Sequence, residues 1–248
     1  MLNSTPGGIV ESRPFLPEKL NPKQRELLAI AFENFPDLKK VQIRTFAPKD
    51  IYEIGGYYDI GTDDEGDTVI LINLSEGEAE SFLPLFSFRK ATIEANAELL
   101  GILSEEMTPE ILQLFIIAHE LGHIKDYLVN YESDPDLTGL NASSEMNYHR
   151  DSNLDTLPVP GVYPPDLARQ LSVSGGIDVN VFLSTFSEIN LKPDDKIKTV
   201  DDLMDLQEER YRASAPERYA DEFARDLLLN HAERLGIKLP KASTEVIH

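Results

Sequence analysis

The chain has 248 residues, is 41% apolar, carries a net charge of −21 and contains no cysteine. These figures fit one large globular domain or two small ones and exclude disulfides, thiolate metal sites and a cysteine nucleophile. The acidity argues against direct nucleic-acid binding, which needs a local excess of Lys and Arg. It reads either as a solvated surface or as attraction for a basic substrate.

No apolar run approaches the roughly 20 residues needed to cross a bilayer. The N-terminal stretch MLNSTPGGIVESRPF has neither a basic start nor a continuous apolar segment, so no secretory signal is expected. The expectation is a cytoplasmic protein without membrane contact.

After a leader over residues 1–20, Asn21-Pro22 offers a capping side chain and a proline at the first helical position, predicting a helix to about Asn34. Val41 to Phe46 alternates apolar and polar residues as a strand does. Gly56 to Ile60 and Thr68 to Leu74 are two more strands, separated by the acidic turn 63–67. Together they predict a small, mostly antiparallel sheet. A helix is expected from about Phe88 to Ser104. Thr108-Pro109-Glu110 then supplies a cap, a proline and an acid for a long helix to about Asn130, apolar nearly all round from Ile111 to Ile117. From Tyr131 to Ile197, Pro, Asn, Asp, Ser and Gly dominate, predicting a lid, an inserted subdomain or a partly disordered excursion. Helical patterns return over Val200–Arg212 and Pro216–Leu235, with Gly236 as a C-cap.

The long helix carries His119-Glu120-Leu121-Gly122-His123. Residues at i and i+4 share a face about 5–6 Å apart, so two imidazoles can meet on one ion. Glu120, rotated away by the helical period, can instead reach a water on that ion and act as its general base. One histidine on a buried helix is usually a packed core residue. Two at this spacing around a glutamate, in a chain with five histidines, point to a metal.

A catalytic zinc ion takes three protein ligands and keeps one position open. His149, His231 and His248 are available, but Glu217 is the favoured third ligand. It lies in Glu217-Arg-Tyr-Ala-Asp221, where Asp221 shares its helix face and can accept a hydrogen bond from the second nitrogen of a ligand histidine. Ala220 and Ala224 are small enough to let two helices approach closely.

At these residues the chain resembles the gluzincins, peptidases with HExxH on one helix and a glutamate ligand on a later one. The Glu217-x-x-Ala220-Asp221-x-Phe223-Ala224 pattern, followed by Leu227-Leu228, looks like the ImmA/IrrE-type branch. The order Gly56-Tyr57, acidic turn, strand 69–73 and metal helix is similar as well. The similarity spans Val41 to Ile124 and Glu217 to Leu228, and leaves out the long stretch between them.

The resemblance implies one zinc ion per chain, a protein or peptide substrate such as a helix-turn-helix repressor, and an edge strand that aligns the substrate backbone. That role falls on Val69, Ile70, Leu71, Ile72 and Asn73. Tyr148, His149, Tyr163 and His231 are the candidate donors to a developing oxyanion. The expected fold is α+β and zincin-like, a small sheet packed on the metal helix with a second helical layer. Residues 21–130 would hold the sheet and metal helix, 131–198 the insertion or lid, and 199–248 the third ligand, with 21–248 forming one catalytic domain. The expected function is zinc-dependent endopeptidase. A non-catalytic zinc-binding sensor and an aminopeptidase are the alternatives.

Overall fold

A computed structural model describes residues 16–49, 54–62, 68–130, 154–173 and 178–240. The leader up to residue 15, the acidic turn 63–67, Tyr148, His149 and His248 lie outside the described residues.

The chain is α+β. Helix α1 (Pro22–Asn34) is followed by strands β1 (Gln42–Phe46), β2 (Gly56–Thr62) and β3 (Thr68–Ser75). A short helix α2 (Leu85–Phe88) precedes α3 (Lys90–Leu100) and the long helix α4 (Pro109–Asn130). Then come α5 (Pro164–Val173), α6 (Val179–Leu183), α7 (Val200–Arg212) and α8 (Ala215–Leu235). No helix among the described residues is long and apolar enough to cross a membrane.

Local chemistry sets most of these ends. Asn21 caps α1 reciprocally with Gln24, each side chain accepting from the other's backbone N–H at 2.9 Å. Thr108 Oγ1 accepts from Ile111 N at the start of α4. Helix α3 stops earlier than the apolar pattern predicts because Gly101, at φ 68°, takes the left-handed conformation that closes a helix. Pro164 opens α5 rather than breaking a helix, since a proline at the first position has no N–H to waste.

The sheet is mixed, which corrects the expectation of a mostly antiparallel one. The strand order is β1-β3-β2, with β1 parallel and β2 antiparallel to β3. Strand β3 takes the centre because Ile70, Leu71, Ile72 and Leu74 are buried, so neither of its faces suits solvent.

Helix α4 is the axis of the main core. Leu114, Ala118, Leu121, Ile124 and Tyr127 have no exposure at all, and each fully buried leucine contributes about 1.5–3 kcal/mol. The sheet lies against one side of α4 and α8 against the other. Where α4 and α8 cross, a Cβ on Gly122 would stand 2.7 Å from Ala220 Cα and 2.9 Å from its carbonyl oxygen. The two backbones are therefore in direct contact.

A second apolar cluster joins Val159, Leu167, Leu171, Val179, Phe182, Leu183 and Leu203. It runs across the expected boundary at residue 198, so α7 packs with the insertion and not only with the C-terminal helix. Gln207 ties the two parts together, accepting from Val159 N and donating to the Val159 and Val162 carbonyls.

Candidate metal centre

The close crossing of α4 and α8 brings the two motif helices to one point. His119 and His123, one turn apart on α4, place their Nε2 atoms 3.0 Å apart. Glu217, in the first turn of α8, sets Oε1 3.1 Å from His123 Nε2 and Oε2 3.3 Å from His119 Nε2. Two ligands at the usual zinc distances and tetrahedral angle would stand about 3.4 Å apart. The donor set of two imidazole nitrogens and one carboxylate therefore fits a single small divalent ion, and His119, His123 and Glu217 form a group that can hold one. His123 and Glu217 are buried, each about 3% exposed, while His119 keeps 17% of its side-chain surface.

The partners of the group orient it. Asp221, one turn after Glu217, stands 2.9 Å from His119 Nδ1. With the Nδ1 proton given to Asp221, the Nε2 lone pair points at the shared centre. Arg212, the last residue of α7, donates one nitrogen to both Asp221 Oδ2 and Asn96 Oδ1 at 2.7 Å. The neighbouring Tyr211 hydroxyl donates to Glu217. Consecutive residues of α7 thus hold both acidic members of the centre. Replacing Asp221 by Asn should weaken metal binding about 10–100-fold, as loss of such outer partners typically does. Competition with a chromophoric chelator reads this directly, and unchanged affinity would remove the role given to Asp221.

Burial works against a charged His119, but its hydrogen bonds to Asp221 and Glu217 and their negative charge raise its pKa to about 10. Burial likewise pushes Glu217 up, yet the attraction of His123 and bonds to both histidines hold it well below the usual carboxylate range. The sign for His119 is that of a raised base. Its proton stabilises the metal-free fold fully below about pH 6.5, and that stabilisation is lost as pH climbs through 10. Metal must displace this proton. Binding at pH 8 should therefore release about one proton, and affinity should rise about tenfold per pH unit between 7 and 9. Titration calorimetry in two buffers of different ionisation enthalpy measures the release, and no buffer dependence would contradict it.

The centre opens into a cleft of about 710 Å³. Gly55, Gly56, Tyr57 and Tyr58 line one side of it, Phe115, Ile116 and Glu120 the floor, and Tyr163, Pro165, Asp166 and Tyr211 the side formed by the second cluster. Burial raises the pKa of Glu120, and the Tyr58 backbone N–H donates to its carboxylate.

Compared with protein-family models, curated proteins and solved structures, the chain has no match.

The structure brings together His119, Glu120, His123, Glu217 and Asp221. Tyr163 lines the cleft, 5.9 Å from Tyr211 ring to ring. His231 does not belong here. It follows Glu217 by fourteen residues on α8, about 21 Å along a helix axis, and lines a separate hollow with Phe35 and Tyr219.

The assignment of Val69 to Asn73 as the aligning strand is also corrected. Leu71, Ile72 and Asn73 are paired on both sides, Val69 and Ile70 are paired with β2, and none of the five lines the cleft. The main-chain groups of Leu71, Ile72 and Asn73 are committed to the sheet.

Sequence reading missed Tyr58, Asn96, Tyr211 and Arg212. Asn96 and Arg212 sit on other helices at no fixed spacing from the motif, so no local signal marks them. Tyr211 and Arg212 close a helix five residues before Glu217, which was a weak hint that they lie near the site.

Proposed function

We propose that this chain is a zinc-dependent endopeptidase with a zincin-like active site, in which His119, His123 and Glu217 hold the ion. The observation that carries the reading is the convergence of these three side chains at one mouth of a cleft that also holds Glu120. A zinc ion there supplies Lewis acidity toward a water and toward the carbonyl of the scissile bond. Glu120 takes the proton of the attacking water and passes it to the leaving amine. Its burial favours this, because a carboxylate with a raised pKa is the stronger base.

Strand β2 is the element suited to align a substrate. One of its edges is paired with β3, and Tyr58 N–H points from the other toward Glu120. Main-chain direction alternates along a strand, so Gly56 faces the same edge. An extended peptide could add to that edge whatever its sequence, with apolar side chains meeting the Phe46–Tyr57 pair, whose rings are 5.6 Å apart. Tyr163 lines the cleft and is the hydroxyl suited to an oxyanion, since that of Tyr211 is engaged with Glu217. A free amine would need an unengaged carboxylate, and in the cleft Glu208 is held by Arg89 and Thr92 and Asp166 pairs with Arg169, which favours internal cleavage over aminopeptidase action.

The test is a diverse peptide library incubated with zinc-loaded, chelator-stripped and zinc-restored protein. Internal cleavage that disappears on stripping and returns with zinc supports the reading. Stoichiometric zinc binding with no cleavage of peptides or folded repressor proteins would favour the non-catalytic sensor instead.

A further inference from the structure

The cleft wall formed by α3 and α7 is polar, and beyond the hold of Tyr211 and Arg212 on Glu217 and Asp221 the peptide hydrolysis described above makes no use of it. Glu208 Oε1 accepts from Arg89 Nη2 at 2.7 Å and also from Thr92. One turn on, Arg212 Nη2 serves Asn96 and Asp221. Each guanidinium thus engages its protein partners through one nitrogen. Nε and Nη1 of both have no partner among the described residues.

Those nitrogens are not fully buried, because Ser214 Oγ is the one buried side-chain polar atom lacking a partner among the described residues. All four side chains line the cleft, and the guanidinium is the more exposed member of each pair. Arg89 and Arg212 keep 31% and 18% of their side-chain surface, against 11% for Glu208 and 12% for Asp221. The donors are thus more accessible than the carboxylates they hold.

A purely structural ion pair between α3 and α7 would need only the Nη2 contacts. It gives no reason for two guanidiniums to border the same cavity with their remaining N–H groups free. Charge points the same way. The cleft is lined by Lys49, Arg89 and Arg212 and by the carboxylates Glu120, Asp166, Glu208, Glu217 and Asp221. A bound divalent ion makes these balance, so the cleft is close to neutral in a chain whose net charge is −21. An acidic group is repelled less there than at the surface as a whole.

We propose that Arg89 and Arg212 form a carboxylate-binding subsite beside the metal centre, reading an acidic side chain or the free C-terminus of the substrate. The proposal rests on the peptidase reading for the identity of its ligand as a peptide. The planar guanidinium fork matches a carboxylate through two parallel N–H···O bonds, and amides satisfy it less well.

The experiment measures binding of labelled peptides to zinc-loaded Glu120→Gln protein by fluorescence anisotropy. Peptides come in matched pairs, Asp against Asn and Glu against Gln at each position, each with a free or an amidated C-terminus. Acid should be favoured over amide by about tenfold or more at one position. Loss of the preference on amidation alone assigns the ligand as the C-terminus, and a preference kept on amidation assigns it as a side chain. The preference should shrink to within about twofold in Arg89→Gln. Should that variant fail to fold with Glu208 left unpaired, the Arg89→Gln/Glu208→Gln double variant removes both charges together and should lose the preference equally. No acid preference, a preference for Lys peptides (which would make Glu208 the reader), or an acid preference that survives the double variant overturns the subsite. Cleavage by the intact protein is scored separately. Cleavage without acid preference sinks the subsite and leaves the peptidase reading, whereas acid-selective binding without cleavage does the reverse.

Discussion

Glu120→Gln should lower kcat/KM for any cleaved peptide by about 100- to 10,000-fold, the range that a positioned general base contributes. Zinc stoichiometry and Tm should stay as they are. Glutamine has the shape of glutamate and keeps an oxygen for the Tyr58 N–H, so the hydrogen bond that places the side chain survives. What disappears is the capacity to take a proton. Glu120 is next to His119 in sequence but does not belong to the group formed by His119, His123 and Glu217, so its loss need not disturb the metal. Metal analysis and steady-state kinetics on the same preparation separate the two effects. Undiminished cleavage would mean that another group is the base, and loss of zinc would mean that Glu120 is a ligand.

The second large effect is expected at Gly122. On helix propensity alone, Gly122→Ala should stabilise α4 by about 1 kcal/mol. The structure predicts the opposite sign. The new Cβ would meet Ala220 Cα at 2.7 Å and its carbonyl oxygen at 2.9 Å, and backbone atoms cannot rotate out of the way. Overpacking of this kind costs about 1–3 kcal/mol, so the clash outweighs the propensity gain, and α8 must shift from α4. Because Glu217 lies one turn before Ala220 on α8, that shift also carries the third ligand away from His119 and His123. The expected result is a lower Tm together with zinc binding weakened by at least tenfold. A raised Tm would show that the crossing has room for a methyl group. A lowered Tm with unchanged zinc affinity would show that Glu217 follows the histidines independently of the crossing.

Much of the molecule was legible in local chemistry. The strands and most helices lie where capping residues, prolines and apolar periodicity place them, because those signals act over one or two turns of chain. The spacing of His119, Glu120 and His123 needs only the helical repeat to imply a metal, and Glu217 with Asp221 repeats the same argument on α8. Each of these inferences uses geometry internal to one element.

The remainder depended on how elements meet, which no single segment encodes. The order β1-β3-β2 puts Val69 to Asn73 in the middle of the sheet and hands the open edge to Gly56 and Tyr58. An apolar strand reads alike at an edge or a centre until its neighbours are known. His231 shares a helix with Glu217 yet lies far along it, whereas Arg212 and Asn96, on separate helices, meet at Asp221. Gly122 reads as a weak helix former in the sequence and becomes the point of closest approach only once α8 is laid across α4. The sequence by itself therefore determined which side chains can hold a metal ion, since that property follows from residue type and helical repeat. The tertiary structure decided what surrounds them, the open strand edge, the residues that hold Asp221 and the guanidiniums facing the cleft, because these arise from contacts between residues distant in the chain.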